Sequence, residues 1–303
     1  MSTSTHRLAL LSVFTTLFLL CNATVFAQAN QYSWWYELHN YSGDYTKILP
    51  ISPAYMGPNA LPVPEILNGK LPEKSYIKAG GEIHFSEGDD TQNGYVELYV
   101  PLFSKRVGLS INMVPYEHYK MDMETRDLRK AMDYDGKGTA IGDLNIATNI
   151  QLLENHKLWP DIVLSINLKT ASGSNLRGMR YTDTPGYSFY FALGKTLPTN
   201  GFIESIRPHG IAGLYVYQTF HTVYRQNDCL LYGIGVDTNM KKVKFTNALG
   251  GYQGYIGNED HPLVYRATLT STFNSKLNFD IRFQQGLRDF EYSSLRMSCL
   301  INL

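Results

Sequence analysis

From Tyr76 to Leu303 the chain alternates apolar and polar residues with a period of two, in segments of about ten residues. Ile77, Ala79, Ile83 and Phe85 share one face, and Lys78, Glu82, His84 and Ser86 the other. Ile162, Leu164, Ile166 and Leu168 oppose Ser165, Asn167 and Lys169 in the same way, and Leu277, Phe279, Ile281 and Phe283 oppose Asn278, Asp280, Arg282 and Gln284. Successive side chains of a strand point to opposite faces, so a period this regular makes strands and excludes helices. The chain reads as all-β.

About twelve such segments can be counted, near 76–87, 93–103, 107–119, 141–153, 160–171, 185–197, 207–220, 227–237, 241–250, 262–273, 277–288 and 293–303. The seventh to ninth are the least regular, because Gly210, Gly213, Gly233 and Gly235 interrupt the pattern. The connections alternate between short turns, such as 104–106, and longer loops, such as 120–140 and 172–184. Even-stranded membrane barrels show this order, with long loops outside and short turns in the periplasm. Closure also removes the unpaired strand edge that hydrocarbon penalises. The expected architecture is a transmembrane antiparallel β-barrel of about twelve strands over residues 76–303, in a Gram-negative outer membrane with both termini periplasmic.

A soluble β-sandwich alternates too, and composition separates the two. Only 18% of residues are charged and 13% are aromatic, against about a quarter charged in ordinary soluble domains. Aromatic residues fall near segment ends (Tyr116, Tyr119, Trp159, Tyr181, Tyr187, Tyr215, Tyr217, Tyr224, Tyr292), where interfacial girdles require them. Net charge is zero, which argues against nucleic acid as a partner. No metal-ligand spacing, phosphate loop or dinucleotide fingerprint occurs, so neither cofactor nor metal is expected.

The N-terminus has Arg7, an apolar run over 8–20 and two cleavage motifs, Val25-Phe26-Ala27 and Ala27-Gln28-Ala29. This reads as a secretory signal peptide over residues 1–27. Leu20 before Cys21 is too large for a lipidation signal, and Cys229 and Cys299 read as apolar strand positions rather than a disulfide. Residues 28–75 form a proline-rich non-barrel segment, with Pro50, Pro53, Pro58, Pro62, Pro64 and Pro72 and no period. Its Trp34-Trp35-Tyr36 cluster calls for a packing partner. A periplasmic tail, a docking arm, and a plug or periplasmic lid are the readings, with plug or lid preferred and Trp34, Trp35 and Tyr36 as the plug residues.

The polar face would line the lumen with Lys78, Glu82, Glu97, Asp143, Lys169, Arg266, Asp280, Arg282 and Arg296. Two readings stay open: paired charges that fill a small barrel, or a charged constriction that selects solutes. His84-Phe85-Ser86-Glu87-Gly88 resembles the His-x-Ser-Asn-Gly stretch of outer-membrane phospholipases. Glu87 departs from it, however, and the alternation turns His84 and Ser86 into the lumen. The long loops carry Arg126, Arg129, Lys130, Asp133, Asp135, Arg177 and Arg180, expected either in solvent or against lipopolysaccharide phosphates.

Gly142-Asp143-Leu144, then Trp159-Pro160-Asp161, Lys169-Thr170-Ala171-Ser172-Gly173 and Leu193-Gly194-Lys195-Thr196, carry a family resemblance. The chain resembles the outer-membrane barrels of the phenol-degradation meta-pathway (MetA-pathway) transporter family over residues 76–303. The resemblance implies a channel or uptake protein for small, often hydrophobic or aromatic solutes, with no catalytic residues. Leu61-Pro62-Val63-Pro64-Glu65 lies outside the shared pattern. The partners expected are outer-membrane lipid and lipopolysaccharide, the barrel-assembly machinery that engages a terminal strand, and a small-molecule solute. The competing functions are an accessory barrel in a larger outer-membrane complex and, third, an outer-membrane hydrolase.

Overall fold

The computed structural model describes residues 31–303 apart from 104, 274 and 275. The signal-peptide reading of residues 1–27 lies outside the described residues. The strands are β1 (Tyr76–Ser86), β2 (Asp89–Leu102), β3 (Val107–Met113), β4 (Glu117–Met121), β5 (Lys137–Ala140), β6 (Asn145–Leu153), β7 (Asp161–Lys169), β8 (Gly186–Gly194), β9 (Leu197–Pro198), β10 (Ile203–Gln218), β11 (Gln226–Met240), β12 (Val243–Gln253), β13 (Leu263–Ser271), β14 (Leu277–Arg288) and β15 (Ser293–Asn302). Every pairing is antiparallel, and β1 pairs with both β2 and β15, placing Tyr76 opposite Tyr99 on one side and Asn302 on the other. The wall is thus a closed ring of twelve strands, with β4, β5 and β9 as extensions of it.

The third and sixth expected segments are each broken, and the fourth starts late, at Asn145. Pro115 has no N–H to give the ladder, and β3 stops at Met113. The chain resumes as β4, still paired with the head of β2 through Asn93↔Glu117. β4 and β5 then form a hairpin whose connection carries a short helix, α2 (Met123–Leu128), following α1 (Ser33–Leu38) in chain order. Asp122 caps α2 by accepting from the Thr125 N–H at 2.8 Å.

The apolar face of the alternation points outward. Ile77, Phe85, Phe189, Leu214, Leu230, Ile234, Phe279 and Met297 are all exposed. A continuous apolar exterior around a polar interior defines a membrane-spanning barrel. At one rim lie the short turns, including 241–242, together with Tyr76 and Leu303; the other carries the long connections 114–144, 170–185 and 254–262. The aromatic girdle is thinner than expected. Tyr116, Trp159, Tyr187 and Tyr224 are exposed, but Tyr119, Tyr181, Tyr215, Tyr217 and Tyr292 are buried. These five turn inward, where hydroxyls find polar partners: Tyr292 donates to Asp89 at 2.6 Å and Tyr181 to Glu117 at 3.0 Å.

Residues 31–45 are a compact unit of their own. Within it Trp34, Trp35 and Tyr36 lie in α1, and the Trp35 ring meets Tyr36 and His39 edge-on at 5.2 and 4.7 Å. Residues 46–75 belong with the barrel and pass through its interior. The Ile48 carbonyl is bonded to the long-loop rim by Lys130 (2.9 Å), whereas the Ser75 carbonyl is met by Leu303 at the short-turn rim (2.9 Å). The interior passage, which strand counting does not see, puts Ile48 and Leu303 at opposite rims.

Candidate functional site: the strapped lumen

The interior segment is hydrogen-bonded to the wall and its loops along its whole length. At the long-loop end Ser52 donates to the Glu259 carbonyl at 2.6 Å, and the Gly57 N–H to the Met179 carbonyl at 2.8 Å. Lower down, Asn59 donates to Glu117 at 2.9 Å and to Asn93 at 3.0 Å. Tyr252 reaches the Leu61 carbonyl at 2.9 Å, and Arg266 reaches those of Val63 and Pro64 at 2.5 and 2.9 Å. Near the short-turn rim Asn68 donates to Asp237 at 2.7 Å, and Tyr99 to the Pro72 carbonyl at 3.0 Å. The sequence explains this pattern. Prolines at 58, 62, 64 and 72 remove backbone donors and keep the chain extended. The freed carbonyls must then be met by side chains, here from the wall.

Glycines in the wall make room for this strap. A Cβ on Gly233 or Gly250 would lie 2.8 or 2.5 Å from Ile66 Cδ1. Gly233, one of the glycines that blur the alternation, and Gly250 of β12 therefore form part of the groove in which Ile66 sits.

Beside the strap, the lumen charges gather on one side. Of the nine residues expected there, seven stand on β1, β2, β13, β14 and β15. Arg282 and Arg296 are register partners, Arg296 also faces Glu82, and Arg266 is opposite Gln284. Like charges opposed across a ladder are unfavourable without a counter-ion. Glu65, from the strap, supplies one: it pairs with Arg282 and stands 3.8 Å from Arg266. Arg266 and Arg282 share the side-chain oxygen of Gln284 at 2.7 and 2.8 Å, while Arg296 lies over the Tyr95 ring at 4.3 Å. Lys78 is 3.6 Å from Asp280, and Glu97 accepts from Tyr76 and Tyr95 at 2.6 and 2.9 Å. Asp143 and Lys169 pair at 2.7 Å, apart from this group and nearer the long loops.

Three cavities follow that charged side. One of about 480 Å³ lies between Glu73, Lys78 and Asn302 at the short-turn rim. A second of about 290 Å³ shares Pro72, Lys78 and Asp280 with it and extends to Glu65. A third of about 140 Å³ continues past Glu65 to Asn59 and Tyr181. Glu65, Tyr95, Arg282 and Arg296 line both of the last two, so the narrowing between them is the arginine ladder.

The far end is sealed. Asp89 takes Arg129 at 2.6 Å and Arg180 at 2.8 Å, and Arg180 also donates to Glu117 at 2.7 Å; all four side chains are fully buried. Burial alone would weaken the charge on Arg180, but Glu117 and Asp89 outweigh it and hold the guanidinium well above its ordinary pKa. Gly57 passes beneath this cluster, where a Cβ would lie 2.7 Å from the Arg180 guanidinium carbon. Arg129 and Arg180 were expected in solvent or against lipopolysaccharide. They are instead buried with carboxylates, contacts between distant loops that no local pattern announces.

His84 and Ser86 do not form a pair. His84 bonds Ser294 at 2.7 Å and Asn93 at 2.6 Å, while Ser86 donates to the Asp89 carbonyl at 3.2 Å. Among the described residues no group of three or more His, Cys, Asp or Glu is placed to hold a metal ion. Cys229 is buried and Cys299 exposed, both as free thiols.

Fold and lumen together define the class: a twelve-stranded membrane barrel whose interior is occupied by its own N-terminal segment. Among solved structures the chain is similar to an outer-membrane channel from Pseudomonas putida F1, with 12% identity, 80% of this chain and 100% of that one covered, and a TM-score of 0.57. It is also similar to the NanC porin, with 8% identity, 75% and 100% coverage, and a TM-score of 0.50. Both likenesses are of fold. No protein-family model and no curated protein matches the chain, so the resemblance to meta-pathway barrels rests on the short motifs quoted above.

Proposed function

We propose that this protein is an outer-membrane channel for small solutes, narrowed at rest by residues 46–75. The row of three cavities beside the strap, the upper two meeting at Glu65, carries this reading, because a barrel packed only for stability has no need of such space. Known channels and porins of the same fold support it. With long loops outward, as in other barrels, Leu303 is periplasmic and Ile48 lies at the outer rim. The apolar exterior faces lipid. Solutes of the hydrophobic or aromatic kind follow from the meta-pathway resemblance, and Pro62, Val63, Pro64 and Tyr95 give the upper cavity apolar walls that suit them.

Single-channel recording in planar bilayers tests the proposal. The full chain is compared with a variant in which residues 59–68 are replaced by a glycine-serine linker. Larger or longer-lived steps in the variant are expected. Silence from both would overturn the channel reading and favour an accessory barrel.

A further inference from the structure

The arginine ladder carries buried guanidinium donors that the structure leaves unmet. Arg266, Arg282 and Arg296 stand on three consecutive strands, all buried. Glu65 pairs with the first two. Glu82, opposite Arg296 in register, stands 3.8 Å from His84. Among the described residues Arg296 has no carboxylate within 4.0 Å, and its Nε, like that of Arg282, is buried without a hydrogen-bond partner. A guanidinium carries five donors in a plane that fits a carboxylate edge-on. Buried donors left unmet are costly, and at a lumen wall they point to a ligand that meets them.

Glu65 is unlike the other carboxylates there. It comes from the strap rather than the wall, and its side chain is 59% exposed to the space between the two upper cavities. An ion pair with one open member exchanges more readily than one buried on both sides, because water solvates the carboxylate that it releases. The backbone that carries it runs Pro62-Val63-Pro64, which holds the carboxylate at a fixed height.

We propose that the ladder is a binding site for the carboxylate of a small organic anion, and that Glu65 occupies it as a tethered stand-in. A free carboxylate displaces Glu65 from Arg282 and reaches the unmet Nε groups of Arg282 and Arg296. The body of the ligand lies against Val63, Pro64 and Tyr95 in the cavity above. In the resting chain Glu65 competes with the ligand and raises the concentration needed to bind. The physiological sense of such a site rests on the channel reading, but binding itself does not require conduction.

Calorimetric titration of the full chain in detergent, with benzoate and with uncharged benzyl alcohol, tests this. Glu65→Gln is expected to bind benzoate at least tenfold more tightly than the unmodified chain. Adding Arg296→Gln to that variant should cancel the gain, and benzyl alcohol should distinguish none of them. Equal benzoate binding by the unmodified chain and the Glu65→Gln variant, or no binding to either, overturns the proposal. Should Glu65→Gln fail to migrate as a folded barrel on unheated gels, the unmodified chain decides the matter. Saturating benzoate, but not benzyl alcohol, must then speed amide exchange over residues 61–67, and unchanged exchange overturns the proposal. A silent bilayer with intact benzoate binding would remove the channel reading alone.

Discussion

Asp89 at the head of β2 and Arg180 in the loop after β7 stand 2.8 Å apart, both fully buried and 91 residues apart in sequence. With Glu117 and Arg129 they join three connections of the long-loop rim over the strap. Breaking a buried pair leaves an uncompensated charge, which costs about 3–5 kcal/mol. Arg180→Met, which strands Glu117 and leaves Asp89 with Arg129 as its only cation, is expected to lose that much in urea unfolding of the folded barrel. Asp89→Asn should cost less, because the amide oxygen still accepts from Tyr292 and Arg129. Equal stability of Arg180→Met and the parent chain would remove this cluster as the clamp of the rim.

The seat of Ile66 gives a second prediction. Gly250→Val puts a side chain where Ile66 Cδ1 already lies 2.5 Å from the nearest possible Cβ. Strap and wall cannot both keep their places, and overpacking of this kind costs about 1–3 kcal/mol. The wall is a closed ladder and the strap is not, so the strap should yield. Amide exchange over residues 64–70 is expected to rise, with little change in β11 and β12, and Ile66→Gly in the same chain should reverse the effect. Faster exchange in the wall instead would mean that the strap is the more rigid of the two.

The wall was legible because its physics is local. A period of two, repeated, fixes strand after strand, and the inward positions of Lys78, Glu82 and Arg282 follow from it. Residues 28–75 read only as a plug or lid, and the path of the strap was not legible, because prolines such as Pro62 and Pro64 erase periodicity. What holds Leu61 to Pro72 is a series of side chains from distant strands, Tyr252, Arg266 and Tyr99 among them. Glu65 sat in a conspicuous motif, yet nothing nearby in sequence names its arginine partners. The cluster of Arg129 and Arg180 was hidden for the opposite reason. Charged residues in a long loop look like solvated ones until the loop is folded over a carboxylate. Gly233 did leave a signal, a lapse in alternation, and its meaning is the groove that it opens together with Gly250.

Asp133, in the connection between β4 and β5, accepts from Tyr119, and burial raises its carboxyl above the ordinary aspartate pKa. The folded loop thus favours the protonated form. Its contribution to stability is full below the ordinary carboxylate pKa and is lost as pH rises through the raised one. Asp133→Asn keeps an acceptor for Tyr119 without the charge. At pH 7 the variant is expected to protect amides over 122–136 better than the parent, and at pH 4 the two should converge. A parent loop that is better protected than the variant at pH 7 would mean that the carboxylate is stabilised by its surroundings.

The two faces of β14 can be set against each other directly. Ile281 is 45% exposed on the outer face near the middle of the strand, and Asn278 lies on the inner face. In a bilayer a lysine on the lipid face near mid-depth costs about 2–4 kcal/mol, and less toward the interfaces. Lysine at 278 would enter the polar lumen beside the wide cavity of the short-turn rim, where its ammonium keeps water. Ile281→Lys is therefore expected to lower unfolding stability in lipid vesicles by about 2–4 kcal/mol, and Asn278→Lys by well under half as much. In detergent micelles, which deform around a charge more easily than a bilayer, the gap between the two should narrow. Equal losses in vesicles would show that the outer face of β14 does not meet hydrocarbon, and would remove the membrane-spanning orientation on which the channel reading depends.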